Sequence, residues 1–284
     1  MALRTLPASW YRSSPLYQLE QRSVFAKAWY LLGPLVKFSD EPVVYEIAQY
    51  EIEARKKDGL VTVVDPKTKK PVKHHITKTG LLFSTVTDEA PSFDEYFPGL
   101  EDLLASVQFK LPYRHGISYD GKFNWKAMVD GYQECLHCAY THPSFSVLYP
   151  STSYQVTNYK NYCKHVTDPS KPDDGLFLFF FPICTLNLYG GGMSCFRVCP
   201  VSPGVTRMEF DYYHREDGEA FNKYFKFVRQ VALEDYELCE SAQENLQRGV
   251  YSEGILHPER ENGVIYYQER VFEMVMEGFK NLRN

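Results

Sequence analysis

The 284-residue chain carries 31 Lys and Arg against 36 Asp and Glu, a formal charge of −5, so it presents no basic footprint for nucleic acid. Hydrophobic residues make up 44% and charged residues 24%, a globular balance, and no run of about 18 apolar residues is present to span a membrane. The first residues, Met-Ala-Leu-Arg-Thr-Leu-Pro, hold no apolar stretch of the secretory kind, and seven cysteines without framework spacing point to reduced thiols in a cytoplasmic setting.

Along the chain, residues 14–30 read as an amphipathic helix, with Leu16, Leu19, Val24 and Phe25 at helical spacing. Val43 to Arg55 and Gly59 to Val64 read as strands, followed by a lysine-rich turn at 66–71 that reads as a solvated hairpin tip. Gly80 to Val86 is a further strand. Phe123 to Tyr140 reads as a strand end leading into a helix. The stretches 153–165, 176–189, Arg197 to Val201 and Thr206 to His214 read as an antiparallel meander, with a turn at Pro203-Gly204. Ala220 to Arg248 is a long helix with Phe221, Phe225, Val228, Ala232 and Leu238 on one side, stopped near Gly249. Val264 to Arg270 fits either a last strand or the start of a closing helix ending at Leu282. Strands first and a long helix late predict an α+β fold with a helix laid across a sheet. Gly190-Gly191-Gly192 reads as a turn; no helix with Lys-Ser/Thr follows it, so it is not a phosphate loop.

The chemistry concentrates at Glu134-Cys135-Leu136-His137-Cys138-Ala139-Tyr140-Thr141-His142-Pro143. His137 and His142 would stand about 140° apart on a regular helix, so they cannot share one face of it. Pro143 disfavours helical backbone at His142, which predicts a helix end there and lets the two imidazoles converge. Glu134, one turn before His137, is placed to accept a histidine ring N–H and fix its tautomer. Two histidines need a further ligand, and the candidates are Glu234 and Asp235 on the long helix. A two-His-one-carboxylate face with open positions suits non-haem Fe(II). Cys135 and Cys138 lack a second pair at zinc-finger spacing and read as packing thiols.

Asn124-Trp125-Lys126 followed by Tyr132-x-Glu134-Cys135-x-His137-Cys138-x3-His142-Pro143 resembles the catalytic motif of Rieske-type non-haem iron oxygenases, especially the choline-monooxygenase-like branch. The opening around Leu6-Pro7 and Trp10-Tyr11, Gly80-Leu81-Leu82-Phe83, and Leu233-Glu234-Asp235 extend the resemblance over most of the chain. It implies that His137, His142 and Asp235 bind Fe(II), and that Glu134 is the acid bridging a neighbouring subunit's cluster to the iron. It also implies a helix-grip fold, a curved antiparallel sheet around the long C-terminal helix. Tyr132, Phe177, Phe179, Phe181 and Asn187 would then belong to the substrate pocket, with the inward parity of the strand undecided. The family's Glu-Asn-Tyr stands here as Asp130-Gly131-Tyr132, which removes an amide.

Members of that family also carry a [2Fe–2S] centre on Cys-x-His and Cys-x2-His. No cysteine precedes Cys135, so no [2Fe–2S] cluster is expected, and residues 40–87 read as strands left where a Rieske domain would be inserted into a single catalytic domain spanning 1–284. The expected activity is a mononuclear iron oxygenase or dioxygenase acting with O2 on a small apolar or aromatic molecule. Its electrons would come from the substrate or from a separate Rieske or ferredoxin-type protein. A redox-neutral lyase, cyclase or hydrolase, with or without metal, is the alternative. Family trimers pass electrons between subunits; without a cluster that reason is gone, and homo-oligomerisation stays open.

Overall fold

The computed structural model describes residues 3–168, 170 and 175–281. Helix α1 (Ser14–Ser23) starts where the Ser13 side chain accepts the Leu16 N–H and Pro15 sets the first turn. It is shorter than the sequence suggests, because a 3-10 turn at Phe25–Lys27 intervenes before strand β1 (Tyr30–Pro34).

The segment from Val43 onward corrects one expectation. Instead of one strand there are two, β2 (Val43–Ile47) and β3 (Tyr50–Lys57), folded about Ala48 and Gln49, whose φ values are 50° and 75°. Two successive left-handed residues give a turn whose twist matches a hairpin. Asp58 and Gly59, at φ 49° and 81°, repeat the device before β4 (Leu60–Val64). The lysine-rich tip that follows is a solvated turn: Asp65 Oδ1 accepts the N–H groups of Lys67 and Thr68, and Lys67 and Lys69 reach back to Glu51 and Glu53 on β3. Strands β5 (His74–Ile76) and β6 (Leu81–Ser84) join β1 in a second small sheet, ordered β1-β6-β5. Two short helices follow, α2 (Phe93–Tyr96) and α3 (Leu100–Leu104).

The main sheet has seven antiparallel strands. They are β7 (Tyr113–Gly121), β8 (Gln155–Asn158), β9 (Tyr162–Val166), β10 (Leu176–Phe180), β11 (Cys184–Tyr189), β12 (Gly192–Ser202) and β13 (Val205–His214), in the order β7-β13-β12-β11-β10-β9-β8. Gly190 and Gly191, at φ 61° and 79°, make the β11–β12 turn anticipated from the glycine run. A buried charge cluster ties this sheet to β1. Arg197 reaches Glu209, Asp211 and the Leu32 carbonyl, and Lys37 binds Asp211 at 2.7 Å.

Between β7 and β8 the chain leaves the sheet as α4 (Trp125–Tyr132), α5 (Cys138–Thr141) and α6 (Pro143–Leu148). Asn124 starts α4, its Oδ1 accepting the Lys126 N–H while its Nδ2 donates to the Pro203 carbonyl. Fully buried Lys126 and Glu20 pair at 2.7 Å, and the Trp125 indole donates to the other Glu20 oxygen, so α4 is bolted to α1. Helix α7 (Glu219–Arg248) crosses the sheet and ends on Gly249 in the left-handed region. Its aromatic contacts run to Tyr189 on β11, Tyr212 on β13 and Tyr119 on β7. Leu238 does not belong to the packed side: it is 40% exposed, and its neighbour Cys239 is buried instead. Helix α8 (Asn262–Asn281) settles the ambiguous last segment as helix; Leu282 lies outside the described residues. No helix among the described residues is long and apolar enough to cross a membrane.

Candidate metal centre

Helix α4 stops at Tyr132, and a tight turn carries the chain to His137. Glu134 shapes that turn: one carboxylate oxygen accepts the backbone N–H groups of Leu136 and His137, and the other meets the His137 Nδ1. A single helical turn, α5, separates the two histidines, and His142 leaves it at φ −118° and ψ 69° before Pro143 opens α6. The break at His142 is the one proline demands. It swings His142 back so that its Nε2 lies 3.1 Å from the Nε2 of His137.

Asp235 arrives from the middle of α7. Its Oδ1 stands 2.9 Å from His142 Nε2 and 3.4 Å from His137 Nε2. Glu234 turns to the opposite side of the His142 ring, with Oε2 2.8 Å from Nδ1. Each imidazole therefore has its Nδ1 held by a glutamate and its Nε2 aimed at Asp235, an arrangement that presents the Nε2 lone pairs together. Among the described residues, His137, His142 and Asp235 are the one group of His, Cys, Asp or Glu side chains close enough to share a metal ion. Two imidazoles and one carboxylate with adjacent free space fit a non-haem divalent ion of the Fe(II) type.

Without metal, protons take its place. Burial works against a charged His137, but Asp235 and Glu134 outweigh it and raise the pKa to about 10. His142 moves the same way: burial opposes it, and Asp235 and Glu234 prevail. Burial pushes the Asp235 carboxyl up, yet its contacts with His137 and His142 hold it below the usual value.

The three Nε2 and Oδ1 atoms open into a cavity of roughly 810 Å3 of empty space, its mouth included. Tyr132, Phe177 and Asn187 line it, and Tyr132 donates its hydroxyl to Asn187 Oδ1 at 2.7 Å. Phe179 and Phe181 do not line it. Both are fully buried in the core, Phe179 within β10 and Phe181 just past its end, where its carbonyl accepts from Tyr96. Further walls include Phe145, Tyr154, Tyr189, Phe196, Phe210 and Val228. They come from α6, the approach to β8, three sheet strands and α7, so no local spacing announces them. A second hollow behind α4 and α7 touches Glu134, His137 and Asp235 from the other side. Gly131 borders both; a Cβ there would meet only His137 Cε1, at 3.9 Å.

The reading of Cys135 and Cys138 as packing thiols is overturned: the structure joins them in a disulfide, and both line the cavity. Their Cα atoms lie 5.0 Å apart because the turn over Leu136 and His137 folds the chain back within bonding reach. The other five cysteines are free and buried.

A family model described as "Ring hydroxylating alpha subunit (catalytic domain)" matches residues 110–168 and 150–277. Among curated proteins, the carnitine monooxygenase oxygenase subunit of Acinetobacter baumannii is 27% identical over 68% of this chain and 59% of its own length. The Escherichia coli K12 subunit is 28% identical over 62% of this chain and 52% of its own. The chain thus spans little more than half the length of the curated relatives it matches. In fold it is similar to the quaternary ammonium Rieske monooxygenase CntA, with a TM-score of 0.84 and 20% identity over 96% of each chain. Naphthalene 1,2-dioxygenase from Rhodococcus sp. superposes with a TM-score of 0.73 and 13% identity over 96% of this chain and 95% of that one.

Proposed function

Since the chain belongs to the ring hydroxylating alpha subunit family by its catalytic domain, we propose that it is a mononuclear non-haem Fe(II) oxygenase of a small apolar or aromatic molecule. The observation that carries this is the convergence of His137 Nε2, His142 Nε2 and Asp235 Oδ1 at the floor of an aromatic cavity. His137, His142 and Asp235 would hold the ion, which supplies O2 activation when bound. Glu134 and Glu234 orient the two rings through Nδ1. Glu134 also lies between the cavity and the rear hollow, the placement expected of an acid that links the site to an outside donor.

The aromatic walls exclude water and seat an apolar body, while Asn187 and Ser194 offer polar contacts. None of the cavity-lining residues described is a lysine or arginine, so the carboxylate of a carnitine-like molecule finds no such partner away from the metal ligands. That favours a neutral substrate over the one in the relatives' names. We read the seven-stranded sheet and α7 as a helix-grip pair, and residues 40–87 as the strands of a Rieske domain without its cluster loops. On that reading electrons come from the substrate or from a separate Rieske or ferredoxin-type protein.

The test is metal analysis of anaerobically purified protein, with O2 uptake over a panel of aromatic compounds. Uptake stoichiometric with product over many turnovers and no donor or thiol indicates substrate electrons; sustained uptake only after a reduced Rieske protein is added indicates a separate donor. Product formed under nitrogen overturns the oxygenase reading. Asp235→Ala is expected to lose bound iron, and retention of iron in that variant refutes the ligand set.

A further inference from the structure

We propose that Cys135 and Cys138 are a redox-active dithiol–disulfide couple in the cavity wall, an internal source of two electrons for the metal site. The inference rests on reading that site as an oxygen-activating centre. The two cysteines bracket Leu136 and His137, so their sulfurs belong to the same turn as a metal-ligand candidate. Both side chains line the cavity that holds His137, His142 and Asp235, and none of the other five cysteines does. All seven are buried, and of those five Cys239 borders the rear hollow instead.

A staple would be placed differently. The stabilisation a disulfide gives grows with the loop it closes, and a C-x2-C ring closes nearly the shortest loop there is. C-x2-C spacing is instead the spacing of dithiol redox motifs, where the pair opens and closes without unfolding its surroundings.

The electron count fits the same role. Inserting one oxygen atom of O2 into a C–H bond takes two electrons from the substrate and two from elsewhere. No cysteine stands before Cys135 in this sequence to hold a cluster that would relay them. Oxidation of the pair supplies two electrons and two protons: R–H + O2 + two Cys–SH gives R–OH + H2O + Cys–S–S–Cys. Two S–H bonds break and one S–S bond forms; one oxygen atom enters the C–H bond, and the other leaves as water with the thiol protons. An external dithiol entering the cavity restores the pair by thiol–disulfide exchange and is itself oxidised. Without substrate, the couple reduces O2 to one H2O2 per disulfide formed.

The experiment has two stages. Native metal-free protein is held under nitrogen with dithiothreitol, alkylated with iodoacetamide and mapped by mass spectrometry. Labelling of Cys135 and Cys138 only after reduction is expected; a disulfide that resists dithiothreitol in the folded protein overturns the proposal. The reduced protein, freed of reductant, is then loaded with Fe(II) or Zn(II), its metal content measured, and exposed to O2. Disulfide and H2O2 should form about tenfold or more faster with Fe(II) than with Zn(II) or in Asp235→Ala. Equal rates in protein that contains iron overturn the couple and leave the metal-site reading standing. Protein that takes up no iron fails that reading and the electron-source role with it.

Discussion

Glu234 is a sharp test of how the centre is built, because the sequence left it and Asp235 as rivals one residue apart. In the structure they do different work: Asp235 Oδ1 faces both Nε2 atoms, while Glu234 Oε2 holds His142 Nδ1 at 2.8 Å from the far side of the ring. Glu234→Ala should therefore weaken metal binding without abolishing it. Loss of an outer partner of this kind costs about 10–100-fold in affinity, or about 1.4–2.7 kcal/mol. Glu234→Gln keeps an acceptor for the Nδ1–H but loses the charge, and charge roughly doubles such a bond, so about tenfold or less is expected. The fold should survive either change, since among the described residues the other hydrogen bond to the side chain comes from Gln230, one turn earlier on the same helix. The assay is competition for Fe(II), under nitrogen, between each apo-protein and a chelating indicator, with thermal unfolding run alongside. Wild-type affinity in Glu234→Ala refutes the positioning role. Complete loss there with retention in Asp235→Ala would exchange the roles of the two acids.

Three further outcomes follow from contacts around α4. Burial raises the pKa of Asp130 to about 6 despite hydrogen bonds from Tyr267, Tyr11 and Gln268. The protonated form is thus favoured on folding, so its contribution is complete below the unfolded pKa near 4 and is lost as pH rises through about 6. Partly exposed as Asp130 is, this amounts to at most about 3 kcal/mol; denaturant titrations at pH 4–7 should show Asp130→Asn flattening that slope. Lys126→Met leaves Glu20 buried with the Trp125 N–H as its remaining partner among the described residues, and should cost about 3–5 kcal/mol in urea unfolding. Gly131→Ala adds a methyl group where only His137 Cε1 is near, on a helix, so a gain of up to about 1 kcal/mol with unchanged metal affinity is expected from calorimetry and the indicator assay.

What the sequence made legible follows from where its information lies. Helix α7 was readable because its apolar spacing is long and Gly249 terminates it in the left-handed region. The break at His142 was readable because proline acts on its immediate neighbour. The β2–β3 hairpin was not, because its turn uses Ala48 and Gln49, which carry no turn signature. Val264-Ile265-Tyr266-Tyr267 kept strand character in composition, and only packing on α1 and β8 makes it helix. At the site, spacing offered two histidines and a choice of carboxylates, and the resemblance chose Asp235. The cavity walls come from elements far apart in the chain, and the parity of β10 needed coordinates to separate Phe177 from Phe179.

The three ligand candidates are mounted on unlike supports. Asp235 rides the interior of a 30-residue helix, whose ends fray long before its centre moves. His137 and His142 flank a helix of four residues and precede one of six, pieces too short to persist without outside contacts. The centre is a vice with one fixed jaw and one compliant jaw. Closing it on an ion should slow hydrogen exchange across residues 133–148 and leave the middle of α7 untouched. A compliant jaw also tolerates a spread of metal–ligand lengths, so the choice of ion falls to donor chemistry and supply rather than to the size of the gap.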